Sequence, residues 1–147
     1  MSDYSAAIYG LIAFASVITA AFPNSAGSLE RGTEAVVDAP TGVESMEDPF
    51  VLFDQQTGMY RIWMSMRTGS DWHIGTSTSR DGQNWDPVTP VEGLADNAAA
   101  PVVIQARGRL ELWYAHGDGS SWTHSSAWSW DGSTWYDSEG HLAASGD

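Results

Sequence analysis

The stretch Ser79–Trp85 reads SRDGQNW, and fifty residues later Ser129–Trp135 reads SWDGSTW. The likeness extends backwards. Gly58–Trp85 aligns with Gly108–Trp135 without a gap, and nine of the twenty-eight positions are identical. Three of the nine are tryptophan and three are glycine, residues that fill space and permit turns. A chain written this way must build one structural unit twice and pack the copies side by side.

Each copy parses into short strands separated by turn signals. Pro49–Asp54, the alternating run Met59–Met66 and the β-branched run Trp72–Ser79 read as three strands, with a fourth expected to start near Trp85. The second copy repeats them at Pro101–Gln105, Arg109–His116, Trp122–Ser129 and from Trp135 onward. Units of 40–50 residues with several short strands each are the mark of propeller blades.

The motif Ser-x-Asp-Gly-x-x-Trp has a structural explanation. Gly82 and Gly132 supply the positive φ of a tight turn. Asp81 and Asp131 are placed to accept hydrogen bonds from turn amides, and the serines to cap the same corner. Trp85 and Trp135 then fold back over the turn and fill the gap between adjacent sheets. Repetition itself favours this reading over a catalytic one, because each blade needs the corner whereas an active site is needed once.

Charge narrows the function classes. The 147 residues carry 19 acidic and 6 basic side chains, a net charge of −13, and every basic residue is arginine. Such a surface repels phosphate backbones, so a nucleic-acid partner is not expected. With no cysteine, disulfides, thiolate nucleophiles and cysteine-ligated zinc are excluded.

Residues 1–46 differ in character from the repeats, which occupy 47–96 and 97–147. Tyr4–Phe22 is a nineteen-residue run without a charge. As a helix it would span roughly 28 Å, close to the ~30 Å of a bilayer core. Buried strands or a core helix explain the same run, and no Lys or Arg flanks it before Arg31 to orient a membrane span. Both readings stay open, and with them an extracellular or membrane-associated location. Pro23–Met46 is a connector rich in Gly, Ser, Pro and acidic residues, with room for one short strand around Glu34–Val37.

The pattern EDPFVLFDQQTGMYRIWMS…IGTSTSRDGQNW resembles a blade of the invertase/arabinanase-like β-propeller glycosidases. The resemblance covers about 100 residues, two blades. It implies an all-β fold of four-stranded blades, here two clear copies and at most one degenerate third. It also implies acidic side chains pointing from the innermost strands into a central funnel. Asp48, in Glu47-Asp48-Pro49, matches the family's Asp-Pro position and is the candidate catalytic residue. The next copy has Ala100-Pro101 there, so the repeat supplies no second carboxylate, and Glu92, Asp96 and Glu111 match no catalytic motif. Two blades leave open flanks, so an open ring completed by self-association is expected.

Trp128 and Trp130 are not explained by the repeat, since Thr78 and Arg80 stand at the matching positions. Together with Trp122, Asp131 and Tyr136 they form the candidate ligand site, aromatic faces suited to sugar C–H surfaces beside a carboxylate. An inter-subunit contact would use the same residues. His116, Asp118 and His124 match no metal-binding spacing, and neither a metal nor a cofactor is expected. The expected role is carbohydrate binding on a glycosidase-derived scaffold. The alternatives are a glycoside hydrolase completed across a subunit interface and a structural subunit held in a membrane by Tyr4–Phe22.

Overall fold

A computed structural model describes residues 37–55 and 57–138. Tyr4–Phe22 and most of the suggested strand at Glu34–Val37 lie outside the described residues. The described chain is all-β: two four-stranded antiparallel sheets, each a meander in sequence order. The first comprises β1 (Ser45–Asp54), β2 (Met59–Thr68), β3 (Asp71–Ser79) and β4 (Thr89–Pro90). The second comprises β5 (Ala99–Ala106), β6 (Arg109–Gly117), β7 (Trp122–Ser129) and β8 (Tyr136–Asp137). This is the blade architecture expected from the repeat.

The two copies differ at their first hairpin. Asp54 pairs with Met59 across a four-residue loop, whereas Ala106 pairs with Arg109 across Arg107-Gly108. Both loop residues of the short turn take positive φ, 53° and 79°, the conformation that matches the twist of a two-residue hairpin. Each first strand also carries a bulge, between Glu47 and Phe50 in β1 and between Ala99 and Val102 in β5.

The fourth strand of the first sheet starts later than expected. Trp85 makes only an isolated bridge to Ser79, and β4 begins at Thr89. The reason is local: Asp86 N–H still bonds to Thr78 O, but Pro87 has no N–H to continue the ladder. In the second sheet, Tyr136 and Asp137 occupy the matching places and pair directly with Trp128 and Ala127.

Period-2 alternation gives each sheet two faces. One face of the first sheet, with Phe50, Leu52 and Trp63, packs against the Val103, Leu112 and Ala127 face of the second. Trp63 and Trp135 are fully buried between the sheets, edge to face at 6.3 Å. The other face of the first sheet, with Ile62, Met64 and Met66, is covered by Val37 and Val88. The other face of the second sheet is left open by the described residues, and there Trp113, the repeat partner of Trp63, is 44% exposed.

Identical letters at matching positions therefore carry different energies. Trp63→Ala is expected to cost about 3–5 kcal/mol, the range for deleting a buried aromatic side chain. Trp113→Ala should cost less than half as much, since much of its ring is already in water. Urea unfolding of both variants at low micromolar concentration checks the ordering.

Candidate functional site

The two corners close through nearly identical hydrogen bonds. Ser79 Oγ accepts from Gly82 N–H at 2.9 Å, and Ser129 Oγ accepts from Gly132 N–H at 2.8 Å. Asp81 Oδ1 accepts from the amides of Gln83 and Asn84, and Asp131 Oδ1 from those of Ser133 and Thr134, all at 2.8 Å. Ser79 and Ser129 are both buried, as a cap within the fold requires. The second corner is also gripped from the first sheet. Trp63 Nε1–H donates to Gly132 O at 2.9 Å, and the Arg61 guanidinium donates to Asp131 O. Gly132 has φ +75°, and a Cβ there would press on Arg61 and Trp63.

These bonds set the electrostatics. Hydrogen bonds from the Asn84 amide and side chain, then from the Gln83 amide, hold Asp81 far below the usual carboxylate range. Burial alone would raise Asp131, but the Thr134 and Ser133 amides, the Ser129 hydroxyl and the Arg61 charge outweigh it and lower it. Asp118, capped by the Ser121 amide and by the hydroxyl and amide of Ser120, is lowered to about 2. The Arg61 guanidinium is itself lowered by burial, against the opposing pull of Asp131 and Asp54.

Of the residues singled out in the sequence, Trp128, Trp130 and Tyr136 come together. Trp128 stacks on Tyr136 at 4.9 Å and meets Trp130 edge-on at 5.5 Å. Trp130 is 68% exposed. Arg109 lies over the Trp128 ring at 5.0 Å and pairs with Glu111 at 3.3 Å. Glu111 lies directly opposite Trp128 across the β6–β7 ladder, so both sit on the open face. Trp122 shares that face, but six residues up β7, roughly 20 Å away, so it does not join the group. Asp131 is adjacent in sequence to Trp130, with its carboxylate held by the corner. Arg109 is not singled out by the sequence, and Glu111 reads there only as a carboxylate that matches no catalytic motif, although both stand where the other repeat has a different residue, as Trp128 and Trp130 do.

Asp48 lies at the other end of the sheets, on the β1 bulge, exposed and with φ 50°. Ser65 Oγ donates to Asp48 Oδ2 at 3.0 Å and accepts from Ala100 N–H at 2.8 Å. That fully buried serine thus ties the two bulges together. Ala100 has φ 52°, so the strained backbone belongs to both blades while the carboxylate belongs to one. Glu47 beside it accepts from Ser45 Oγ. Glu92 and Asp96 line a separate cleft of about 320 Å³ between Trp72–Ile74 and Val91–Ala98. His116 Nε2 meets Ser125 Oγ at 2.9 Å, and no group of three metal-ligating side chains occurs among the described residues. Nor does any helix of the described residues have the length and apolarity to cross a membrane.

Comparison with solved structures agrees with this architecture. The chain superposes on an N-acetylgalactosamine deacetylase from F. plautii, solved with blood group B trisaccharide, at a TM-score of 0.64 and 15% identity over 85% of its length. It superposes on Zg3597, a family 117 glycoside hydrolase of Zobellia galactanivorans, at 0.50 and 20% identity over 64% of its length. A provisionally named glycoside hydrolase of Bacteroides ovatus gives 0.55 and 17% identity over 78%. The chain spans 38%, 38% and 40% of those three chains. At these identities the likeness shows the fold alone: the two four-stranded blade-like sheets recur in those proteins. No family model matches the sequence, and no curated protein sequence does.

The depressed turn aspartates make stability acid-sensitive. Their folded-state values lie below the ~3.9 of an unfolded chain, so their contribution is full above about pH 4. It is lost as the pH falls through the lowered folded-state values. Asp81→Asn should flatten the decline of melting temperature between about pH 4 and pH 2 relative to the parent chain, read by circular dichroism.

Proposed function

We propose that the chain binds carbohydrate at the corner end of its second sheet, through Trp128, Trp130 and Tyr136. The observation that carries the reading is the exposed Trp130 ring, set against a Trp128–Tyr136 stack and flanked by the Arg109–Glu111 pair. Aromatic faces desolvate the C–H side of a pyranose, while a carboxylate and a guanidinium exchange hydrogen bonds with its hydroxyls. Glu111 accepts from sugar hydroxyls, and Arg109 fixes Glu111 and the Trp128 ring at once. The scaffold supports the reading: it is shared with glycoside hydrolases and with a deacetylase solved with a blood group trisaccharide.

Titration of tryptophan fluorescence against a panel of oligosaccharides should give a saturable change with at least one of them. Trp130→Ala should weaken that binding at least about tenfold, a loss of ~1.4 kcal/mol, with the melting temperature unchanged. Absence of any response across neutral, amino and acidic sugars would sink the reading.

A second reading, glycoside hydrolysis at Asp48, is favoured by one observation. Of the two matched bulges, only the first presents a carboxylate, and that residue is exposed at the β1 bulge with its carboxylate bonded by Ser65. Hydrolysis requires a second carboxylate at a fixed separation, which an adjoining subunit would supply. Under this reading Asp48→Asn abolishes release of reducing sugar while leaving the fluorescence response to oligosaccharide intact. Equal turnover by both proteins counts against it.

A further inference from the structure

The ring of Trp128 is occupied on both faces. Its strand, β7, runs between β6 and β8, and a side chain leans in from each. Tyr136 on β8 stacks on the indole, 24° from parallel. Arg109 on β6 sets its guanidinium over the same ring at 5.0 Å. Side chains stand roughly perpendicular to a sheet, so neighbours from opposite flanking strands take opposite faces of the ring between them. Glu111 fixes the guanidinium in turn: Arg109 Nε and Nη2 both donate to Glu111 Oε1, at 3.4 and 3.3 Å. All four side chains are half-buried. In the first copy Met59, Thr78 and Asp86 stand in place of Arg109, Trp128 and Tyr136, so no such column forms there.

Trp130 stands outside the column. It meets Trp128 edge-on at 5.5 Å and is 68% exposed, so the contact fixes its edge and leaves its faces free. We infer that the carbohydrate site divides its work between these two tryptophans. Trp130 is the stacking platform, Trp128 is a positioning residue clamped between Arg109 and Tyr136, and the ligand is a single pyranose residue, the terminal one where the sugar belongs to a chain. The inference rests on the carbohydrate reading above.

Two consequences of the geometry support it. An edge contact with a clamped ring orders Trp130 before ligand arrives, so binding does not have to supply that ordering. Among the described residues, the next exposed ring on this face is Trp113, which lies opposite Ser126. That row is four positions from Trp130, roughly 13 Å along the strand. The filled Arg109–Trp128–Tyr136 row lies between, so a second sugar extending that way meets no open aromatic face.

Calorimetric titration of the full chain tests this. Each oligosaccharide that changes the tryptophan fluorescence is set beside the methyl glycoside of its own terminal residue: methyl glucoside for cellotetraose, methyl mannoside for mannotetraose, methyl N-acetylglucosaminide for chitotetraose. The methyl glycoside should bind within about threefold of the longer sugar. Trp128→Phe keeps a ring in the clamp and should hold the affinity within about twofold, with the fluorescence change retained. Trp130→Phe should weaken binding at least about fivefold and remove that change. Trp113→Ala should alter neither. Without ligand, Arg109→Gln leaves every ring in place but opens the clamp, and should reduce the near-ultraviolet circular dichroism.

An oligosaccharide held more than about tenfold tighter than its methyl glycoside, or equal losses in the two phenylalanine variants, would overturn the inference and leave the carbohydrate reading standing. So would weakened binding in Trp113→Ala, or an unchanged near-ultraviolet spectrum in Arg109→Gln. Silence towards every sugar sinks the carbohydrate reading itself, and this inference with it. Should a phenylalanine variant fail to fold, the chain-length comparison on the parent and the Arg109→Gln spectrum decide.

Discussion

The seam between the two sheets is registered by a buried hydrogen bond. Trp63 Nε1–H reaches across to Gly132 O, and around that bond Trp63, Trp135, Leu112 and Val103 become inaccessible to water. The acceptor is available because the Ser129–Asp131 corner holds the turn with its carbonyl outward. The donor is available because β2 places Trp63 on the face opposite Ile62 and Met64. Packing alone would tolerate sliding of one sheet over the other. A buried hydrogen bond does not, because either partner left unpaired costs about 1–3 kcal/mol.

The same corner makes a different bond in each copy, and the difference reveals what a neighbour does. In the first blade, Gly82 O accepts from Trp85 Nε1 of its own corner at 3.2 Å. In the second, Trp63 occupies the equivalent carbonyl, and the buried Trp135 Nε1 finds no partner among the described residues. The corner thus closes on itself where no preceding Trp reaches it and yields its acceptor where one does. The unpaired indole is a cost, and complete burial of two tryptophans at the seam exceeds it.

Much of the fold was legible because the repeat is structural. Tight turns at Gly82 and Gly132 and caps from Ser79, Asp81, Ser129 and Asp131 follow from residue chemistry acting over a few positions. What was not legible depends on distance through space. Pro87 delayed the fourth strand because an aspartate-to-proline difference removes one ladder donor. Trp63 and Trp113 read alike, and only the presence or absence of a covering sheet separates them. Trp122 joined the other tryptophans in sequence but not in space, because six strand residues carry it to the far end of β7. Ser65 gave no signal, having Ala115 as its repeat counterpart, although it joins the two bulges.

Positions where the two copies disagree are therefore the informative ones for function. Positions that agree are explained by the needs of a blade: turn glycines, capping hydroxyls, the tryptophan that fills a seam. At the bulge the backbone agrees, with Asp48 at φ 50° and Ala100 at φ 52°, and only the side chain differs. Strain common to both copies cannot be the signature of a site, whereas a carboxylate present in one and absent in the other can. The same logic isolates Arg109, Glu111, Trp128 and Trp130, which stand where the first copy has Met59, Arg61, Thr78 and Arg80. Those four meet in space at one end of one sheet, which no requirement of blade packing demands.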